Sequence, residues 1–598
     1  MTPRNRGIEF EMNASQLVFL IAGAVIGWEA NAAVFRFADN GLPLHWNINQ
    51  YDPDLLPDQN PVTLAVRFHL MSEGWSPANR TRELDAIRAA FAQWQAIPGL
   101  RLKFEEAATV SGVTDVDASD FKNTVVWLHG NRFINQNHTF FSTFATGITV
   151  LTGSITDEII AEADIALNSD MEWFTDFSSQ SFEGQFVEAV ALHEIGHFIG
   201  LNHSPAGGAT LFSSTTGGIN STAGLSVDDM TAALSLYGDP ATLKTRSTLK
   251  GTVTVGSTPV LGAVVSVEDA TGTLLASTVT RADGSYQLPA LPAGASLVRV
   301  TPLDGATANG LVSGPEIDTS DRNLYSAAAT GFLPIPAQPV SLPAGGTVSR
   351  NWTVTNGAAP FRIAKTRRLL TPEDRTAGAI CVQLTPGQTN AWVGVYLPTF
   401  VATNADLRIT GDGLTVGPTL VVPKALAGMT LVHAPVNVAA SAAPGLRSVS
   451  VTAGGYTAWA IGFVEVQPAA PDFNFDGLDD RFQRRYWSPF TRAEAAPNAD
   501  PDGDGFVNRR EYVMGSDPTN TASVNYRITK VKLDATGTTV TWESAPGRRY
   551  QVYRRTALDG AILWIPVGAA VLAVGETAQI LDSQPTQTLG FYQVRDAQ

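Results

Sequence analysis

One segment, residues 191–204 with the sequence ALHEIGHFIGLNHS, constrains the fold of this 598-residue chain more than any other. It holds three of the eight histidines of the chain, His193, His197 and His203. Residues four apart lie on the same face of a helix, so His193 and His197 can present two imidazoles to one point. The helix must then end for His203 to return to that point. Gly200 is the residue type that tolerates the left-handed turn this return requires.

This arrangement of imidazoles is the ligand set of a catalytic zinc ion. Catalytic zinc takes three protein ligands and keeps its fourth position open for water. Glu194 lies about 100° around the helix from His193, so its carboxylate can reach the water without being a ligand. His-Glu-x-x-His alone occurs in helices by chance, and the added glycine and third histidine make the pattern specific. We therefore expect one Zn2+ ion at His193, His197 and His203.

The expected chemistry is hydrolysis. Zinc lowers the pKa of water and polarises a carbonyl group, and Glu194 is placed to accept the proton of the attacking water. Glu194 would then pass this proton to the leaving amine of a peptide bond. The five remaining histidines show no metal-ligand spacing and are predicted to be ordinary surface or core residues: His45, His69, His129, His138 and His433.

The residues around this segment resemble the matrixin branch of the metzincin zinc proteases, the family of the matrix metalloproteinases. After His203-Ser204, residues 209–212 (ATLF) are similar to the Ala-Leu-Met-Tyr segment of the family. Residues 225–238 (LSVDDMTAALSLYG) resemble its C-terminal helix, and residues 163–173 (ADIALNSDMEW) resemble the strand and loop before its active-site helix. The resemblance covers about residues 43–238 and implies a zinc endopeptidase. It also implies a substrate that extends along an edge strand, for which residues 147–151 are the candidate.

Three positions depart from the matrixin pattern. The methionine that the family carries beneath the zinc falls on Leu211, which is apolar and similar in volume, so an apolar base is expected to be kept. Ala166 stands where animal matrixins carry a histidine for a second, structural zinc, so one zinc is expected. The only cysteine, Cys381, lies beyond this domain, which argues against the cysteine-switch form of latency.

Residues 17–28 (LVFLIAGAVIGW) are an apolar run followed by small residues, which is typical of a secretory signal peptide over residues 1–33. Twelve apolar residues fall short of the roughly 20 that a membrane-spanning helix needs. No second run of spanning length follows. We predict a secreted, extracellular protein without stable membrane insertion.

The hydrophobic pattern of the sequence changes near residue 240. Before it, the periodicity predicts an amphipathic helix over residues 76–97, a buried helix over 185–200, and a third helix whose first turn is closed by a capping box of Ser226 and Asp229. After it, alternating strands are interrupted by many of the 53 glycines and 35 prolines. This pattern predicts a multidomain chain in which an α+β metzincin domain is followed by several antiparallel β-sandwich modules.

The predicted domains follow one another along the chain. Residues 248–330 resemble the carboxypeptidase-regulatory-like β-sandwiches through the turn Ala282-Asp283-Gly284-Ser285-Tyr286, and a proline-rich stretch at 333–343 is predicted to be a linker. The predicted order is a signal peptide (1–33), a matrixin-like domain (34–242), this β-sandwich (248–330), an immunoglobulin-like β domain (340–468), an EF-hand-like calcium segment (470–522) and a C-terminal β-sandwich (525–598).

Residues 500–511 (DPDGDGFVNRRE) fit the calcium-loop pattern D-x-D-x-D-G-x5-E at every position. The pattern places carboxylates of Asp500, Asp502 and Asp504 at loop positions 1, 3 and 5, the carbonyl of Phe506 at position 7, and bidentate Glu511 at position 12. The segment resembles bacterial EF-hand-like or thrombospondin type 3-like calcium spacers. A structural Ca2+ ion is expected here, and a solvated acidic turn is the alternative.

Residues 472–483 (DFNFDGLDDRFQ) repeat this pattern with a change at the last position. The predicted calcium ligands are Asp472, Asn474, Asp476, Leu478 and Gln483. Glutamine cannot act as a bidentate anion, so we expect this calcium site to be the weaker of the two.

The net charge of −16 argues against a nucleic-acid partner, since phosphate binding needs a basic surface. The expected partner is a protein or peptide substrate, and surface or matrix glycans or proteins are further candidates for the β modules. Two alternatives stay open at this point. One is an adhesin or matrix-binding protein with a vestigial metzincin domain, and the other is a zinc hydrolase that acts on something other than protein.

Overall fold

The computed structural model describes residues 19–21, 42–117, 119–128, 146–154, 158–177, 184–212, 223–303, 331–357, 359–371, 373, 381–398, 404–426, 428–523, 526–557, 563–584 and 590–597. The chain divides into two compact units, Met1–Phe475 and Asp476–Gln598, each of which is described by itself. No helix in this described part is long and apolar enough to cross a membrane. The predicted signal peptide, residues 1–33, lies outside the described residues except for Phe19–Ile21.

The first domain, residues 42–243 together with Phe19–Ile21, is an α+β structure around one sheet. Its strands are β1 (Phe19–Ile21), β2 (Val66–Leu70), β3 (Phe104–Glu106), β4 (Thr124–Leu128), β5 (Gly147–Ser154), β6 (Ile159–Asn168) and the short pair β7 (Trp173–Phe174) and β8 (Gln185–Phe186). Its helices are α1 (Arg80–Ala96), α2 (Val187–Phe198), α3 (Val227–Tyr237) and α4 (Pro240–Leu243). The spatial order in the sheet is β1-β5-β6-β4-β2-β3. Strands β6, β4, β2 and β3 are parallel, whereas β5 runs antiparallel to β6 and to β1.

The proposed edge strand, residues 147–151, forms the first part of β5. Strand β1 pairs with the outer side of β5, with Ile21 opposite Leu151 and Phe19 opposite Gly153. The expectation of an open edge is therefore wrong for Leu151. In the described part of the chain, residues 147–150 pair only with β6.

Helix α2 is the centre of the first domain. All 12 of its residues are buried, which confirms the predicted buried helix, and it packs against α1 and the sheet. Two tryptophan indoles fasten it: Trp94 Nε1 donates to the Leu192 carbonyl oxygen and Trp46 Nε1 donates to the Phe198 carbonyl oxygen, each at 2.9 Å. A helix enclosed in this way on all sides holds its side chains in fixed directions.

Helix α3 joins the first domain to the module that follows. The predicted capping box is confirmed, because Ser226 accepts from the Asp229 backbone N–H while the Asp229 side chain accepts from the Ser226 backbone N–H. The helix contacts strands of the second module, and the Thr231 hydroxyl donates to the Leu275 carbonyl oxygen at 3.3 Å. The first domain therefore does not end in a flexible linker.

The second module, residues 246–356, consists of two sheets around one apolar core. Its strands are β9 (Arg246–Val255), β10 (Thr258–Pro259), β11 (Ala263–Asp269), β12 (Leu274–Val279), β13 (Ser285–Pro292), β14 (Gly294–Pro302), β15 (Phe332–Leu333), β16 (Ile335–Leu342), β17 (Thr347–Ser349) and β18 (Trp352–Asn356). One sheet has the order β10-β9-β18-β15, with β13 and β17 also paired to β9, and the other has the order β12-β11-β14-β16.

The predicted boundary of this module was wrong. The proline-rich stretch 333–343 is not a linker, because it contains β16, which pairs with β14 at the edge of its sheet. Pro336 and Pro339 lack backbone N–H groups, and an edge strand tolerates this loss. Strands β17 and β18 also belong to this module, since both run parallel to β9. The module therefore extends to Asn356 instead of residue 330, and the next one starts later than residue 340.

The third module, residues 359–466, also has two sheets that share one core. Its strands are β19 (Lys365–Leu369), β20 (Val382–Leu384), β21 (Ala391–Leu397), β22 (Asp406–Ile409), β23 (Leu414–Val416), β24 (Leu420–Leu426), β25 (Met429–Val438), β26 (Gly445–Ala453) and β27 (Tyr456–Val466). One sheet has the order β19-β21-β25-β23 with β24 beside β25, and the other has the order β20-β27-β26-β22.

The second unit begins with two short helices and ends in a β module. The helices are α5 (Asp480–Tyr486) and α6 (Asn508–Met514), separated by a 3-10 turn (Ala493–Ala495). The strands are β28 (Ile528–Asp534), β29 (Gly537–Glu543), β30 (Arg549–Arg555), β31 (Ile565–Pro566), β32 (Val571–Leu572), β33 (Thr577–Asp582) and β34 (Phe591–Asp596). They form the sheet β28-β29-β33 and a second sheet in which β31, β32 and β34 pair with β30, around a core that includes Trp542 and Tyr550.

The corrected boundary predicts that residues beyond 330 are required for the second module to fold. At Gly251 on β9, an added Cβ would lie 1.8 Å from the carbonyl oxygen of Arg350. We expect Gly251→Ala to separate these segments and to lower the free energy of unfolding by at least about 1–3 kcal/mol, as overpacking does. The measurement is thermal unfolding of the full chain. Gly331→Ala is the control, because an added Cβ there meets nothing within 4 Å. Equal melting temperatures of the two variants would contradict the revised boundary.

Candidate metal centre

The three predicted histidines converge in the first domain. His193 and His197 lie one turn apart on α2 and are buried, and His203 follows the end of this helix. The Nε2 atoms of His193 and His197 are 3.1 Å apart, and the His203 Nε2 atom lies 3.2 Å from the first and 3.1 Å from the second. The structure therefore brings together all three residues that the spacing predicted.

The hydrogen bonds of the rings decide which nitrogens carry protons. His193 Nδ1 lies 2.8 Å from the Thr210 carbonyl oxygen, and His197 Nδ1 lies 2.9 Å from the Leu201 carbonyl oxygen. A carbonyl oxygen only accepts, so both Nδ1 atoms are the donors, and in the neutral rings both Nε2 atoms present lone pairs. Backbone partners of this kind orient metal-ligating histidines.

This geometry fits a zinc ion. Lone pairs of neighbouring nitrogens repel one another at about 3 Å unless a cation lies between them. Zinc binds histidine nitrogen at about 2.0–2.1 Å, and one ion can lie at this distance from three nitrogens with these separations. His193, His197 and His203 are the residues that would hold it.

Gly200 makes the return of His203 possible. Its φ angle is +90°, and its backbone N–H donates to the His197 carbonyl oxygen at 2.9 Å. An added Cβ would lie 2.3 Å from the Leu44 carbonyl oxygen, so a side chain is excluded by space as well as by conformation. The predicted left-handed turn at this glycine is confirmed.

Leu211 lies beneath the helix that carries the ligands. It is 1% exposed, and its Cδ2 atom is 2.5 Å from the position that a Cβ would take at Gly196, between the two helical histidines. The backbone N–H of Ser204 donates to the Leu211 carbonyl oxygen at 2.8 Å. Leucine thus occupies the place beneath the ligand helix where the matrixin resemblance put an apolar base.

Asp229 has a structural part in the site that the sequence did not show. Besides closing the capping box, its carboxylate accepts from the backbone N–H groups of Thr210 at 2.9 Å and Leu211 at 3.1 Å. It thereby fixes the turn whose Thr210 carbonyl orients His193. Burial raises the pKa of Asp229, and the hydrogen bonds from Ser226 and this turn oppose the rise. The capping-box pattern identified Asp229 as a helix-capping residue but did not predict its hydrogen bonds to the backbone of Thr210 and Leu211.

Glu194 lies on α2 beside the ligands and is 3% exposed. The Thr149 hydroxyl of β5 lies 2.7 Å from its Oε2 atom and donates to it. The predicted proton carrier is therefore in contact with the strand that was proposed to bind substrate. Thr149 had not been marked by any sequence motif.

The loop 204–212, which connects His203 to the turn at Leu211, is enclosed by the two β modules that follow. The backbone N–H of Gly207 donates to the Ile461 carbonyl oxygen of β27 at 3.0 Å. Phe212 packs against Phe463 of the same strand, with ring centroids 5.3 Å apart. Ala206 and Ala209 lie in one apolar cluster with residues of both modules: Val264, Leu274, Val279, Leu303, Cys381, Leu446 and Ile461.

Polar contacts join the same loop to the second module. Asp228 is fully buried and accepts from the Ser204 hydroxyl at 2.6 Å and from the backbone N–H and the hydroxyl of Ser277 on β12. Burial, and then the neighbouring Asp229 carboxylate, raise the pKa of Asp228 to about 7. The loop after the third histidine is thus a shared interior surface of three modules.

Ala166, where a second zinc ligand was expected to be missing, lies on β6 opposite Ile148 and Val126. It is buried among apolar neighbours. Three other histidines lie apart from the converging histidines. His45 contacts the Pro43 carbonyl oxygen, His69 lies 3.0 Å from Asp58, and His433 is buried against Trp392. His129 and His138 lie outside the described residues.

The predicted calcium loop 500–511 forms a carboxylate cluster in the second unit. Oxygens of Asp500, Asp502 and Asp504 lie within 4.8 Å of one another. Glu511 is fully buried, and its Oε2 atom has no hydrogen-bond partner among the described residues. Burial first, and then the three aspartates, raise the pKa of Glu511 to about 8. Phe506 is buried in the middle of the loop, and its backbone N–H donates to Asp504 Oδ1 at 2.8 Å.

The predicted weaker loop 472–483 crosses the boundary between the two units. Within the second unit, Gln483 donates through Nε2 to Asp476 Oδ2 at 2.7 Å and to the Ala495 carbonyl oxygen at 2.9 Å. The backbone N–H of Leu478 donates to Asp476 at 2.9 Å. The position-12 side chain therefore has protein partners through its amide nitrogen, and the ligand roles of Asp472 and Asn474 stay a prediction.

A buried helix with three converging imidazoles and an adjacent carboxylate defines the site of a metal-dependent hydrolase. Residues 62–238 match the family model described as Matrixin, which supports a matrixin-type metalloprotease domain and zinc metalloprotease activity in general. No curated protein matches the chain. Among solved structures, the titin Ig tandem domains are similar over 37% of this chain and 94% of theirs, at 10% identity and a TM-score of 0.10. That likeness carries no argument about the fold.

The enclosed loop predicts that the third module supports zinc binding from a distance. Phe463→Ala removes the ring that packs against Phe212 and should destabilise the chain by about 3–5 kcal/mol. We also expect faster loss of zinc to a chelator, measured on the full chain below its melting temperature. Tyr456→Ala is the matched control, because this ring packs against Phe361 in the same module. Equal rates of zinc loss in the two variants would show that the loop contact does not support the site.

Proposed function

We propose that this chain is a secreted zinc endopeptidase in which Glu194 is the general base. The observation that carries the proposal is the convergence of His193, His197 and His203 beside Glu194, within a domain that matches the matrixin model. When bound, zinc supplies a Lewis acid that lowers the pKa of water and polarises the scissile carbonyl group.

The side chains of the protein perform the proton transfers. Glu194 accepts a proton from the attacking water and then donates it to the leaving amine. The backbone partners of His193 and His197 keep both rings in the tautomer that leaves Nε2 unprotonated. These positions are fixed by the buried helix before substrate arrives, so the protein does not need to reorganise during the reaction.

Strand β5 is the proposed binding strand for the peptide substrate. An extended substrate would pair with its outer side by β-augmentation, which brings the scissile bond past Glu194. Strand β1 covers Leu151–Gly153 in this structure and lies within the predicted signal peptide. Cleavage of residues 1–33 during secretion would remove β1 and open this side of β5. Binding of glycans or matrix proteins by the β modules stays a prediction.

The proposed reaction is tested with Glu194→Ala in the full chain. We expect the rate of hydrolysis of an unfolded protein substrate to fall by at least about 100-fold, because the general base is lost. Zinc content should stay at one ion per chain, since Glu194 is not a ligand. Glu172→Gln, a change at an exposed glutamate of the same domain, is the control and should keep full activity.

Three outcomes would count against this proposal. A parent chain that binds zinc and cleaves neither protein nor peptide would exclude an endopeptidase. Cleavage of ester or glycoside substrates alone would favour a zinc hydrolase of another class. Equal activity of the parent and Glu194→Ala would exclude Glu194 as the base.

We also propose that Ca2+ is a structural cofactor of the second unit. The supporting observation is Glu511, a buried carboxylate whose Oε2 atom has no hydrogen-bond partner among the described residues and whose charge is opposed by Asp500, Asp502 and Asp504. A buried anion of this kind is costly unless a cation compensates it. Arg548 contributes a part of the compensation, since it lies 3.4 Å from Asp504 Oδ2 and donates to the Asp504 carbonyl oxygen.

Glu511→Gln tests the calcium site. In the parent chain, saturating Ca2+ should raise the melting temperature of the second unit, because an ion that binds only the folded state stabilises it. In Glu511→Gln the shift should be largely lost, since the amide cannot provide bidentate anionic ligation. Glu494→Gln, at an exposed glutamate of the same unit, should keep the full shift. An unchanged shift in Glu511→Gln would remove this residue from the site.

A further inference from the structure

Strand β5 presents an unusual pair of residues to the ligand helix. Residues two apart on a strand point to the same face, so Gly147 and Thr149 lie on the same side of β5. Both contact Glu194 of α2, the first through the space it leaves and the second through its hydroxyl. The face of β5 beside the proposed general base therefore has no side chain at Gly147 and a hydroxyl group at Thr149.

The Thr149 hydroxyl has two acceptors on the same residue. Its oxygen lies 2.7 Å from Glu194 Oε2 and 2.9 Å from the Glu194 backbone carbonyl oxygen. The hydroxyl carries one hydrogen, so it donates to one of them at a time. An ionised carboxylate is the stronger acceptor, so the hydrogen lies on the Oε2 side while Glu194 is charged.

Gly147 controls the other oxygen of the carboxylate. A Cβ added at this position would lie 2.6 Å from Glu194 Oε1 and 2.8 Å from Cγ. Any larger residue would displace the carboxylate from its place. Gly147 thus gives the carboxylate room at Oε1, while Thr149 holds it at Oε2.

We propose that Thr149 is a positioning residue for Glu194, an inference that rests on the proposed hydrolysis. It keeps the carboxylate in one orientation by a hydrogen bond to Oε2, which turns Oε1 toward the proton that Glu194 must accept. A glutamate has three rotatable side-chain bonds, and fixing them before the reaction removes an entropic cost from the chemical step.

The test compares Thr149→Val with Thr149→Ser in the full chain. Valine keeps the shape and loses the hydroxyl, whereas serine keeps the hydroxyl. We expect Thr149→Val to lower kcat about 10- to 100-fold, as loss of a supporting hydrogen bond does, with KM changed less than about twofold. Thr149→Ser should restore kcat to within a few-fold of the parent. Thr81→Val, the same change at an exposed position of α1, is the control and should leave kcat unchanged.

A readout without catalysis separates this inference from the proposed function. In the metal-free chain, Thr149→Val should lower the melting temperature, because it removes the hydrogen bond that the buried carboxylate accepts at Oε2. The same substitution in a Glu194→Ala background should have a clearly smaller effect. This non-additivity is the signature of a direct contact.

The possible results are distinct. Unchanged kcat in Thr149→Val, or equal losses in the valine and serine variants, would overturn the positioning role. Additive melting shifts would overturn the contact itself. If the parent chain binds zinc and cleaves no peptide, the proposed function fails and the positioning role fails with it, while the melting shifts still decide whether Thr149 holds Glu194.

Discussion

The structure depends on one electrostatic constraint, the approach of three imidazole nitrogens to within about 3.2 Å of one another. Neutral rings can approach one another this closely only when hydrogen bonds to their Nδ1 atoms fix their orientations. The Thr210 and Leu201 carbonyl oxygens hold two of them, and each of these carbonyls belongs to a turn that needs support of its own. The turn at Thr210 is fastened by Asp229, which in turn closes the first turn of α3. The orientation of the ligands therefore depends on the turn at Thr210 and on helix α3, neither of which supplies a ligand.

The same requirement explains why the β modules are packed on the first domain. The loop 204–212 begins one residue after a ligand and ends one residue after Leu211. A loop of small residues has little core of its own, and here its apolar side is completed by Ile461 and Phe463 of the third module. Asp228 binds the start of the loop to Ser277 of the second module. The first domain and the two β modules after it are therefore not independent of one another, since residues of all three enclose the interior of the candidate site.

The sequence predicted those parts of the site that depend on local spacing. The face shared by His193 and His197, the turn at Gly200 and the capping box at Ser226 are each decided within a few residues, and all are present. Parts that depend on long-range pairing were not predictable. The prolines at 336 and 339 suggested a linker because the sequence does not show that their strand lies at a sheet edge. Thr149 is separated from Glu194 by 45 residues, so only the packing of β5 on α2 reveals their contact.

The candidate zinc centre and the proposed calcium site differ in what the protein must do without an ion. In the histidine site, backbone carbonyl oxygens orient His193 and His197 with their Nδ1 atoms directed away from the centre. The proposed calcium site has three clustered aspartates, and the pKa of the buried Glu511 is raised to about 8 because burial and these aspartates oppose its charge. A proton can neutralise Glu511 in the absence of a cation, but only by giving up the bidentate anion that calcium requires. The first site is thus preformed, and a bound zinc ion would add chemistry. At the second site, a bound calcium ion would add structure.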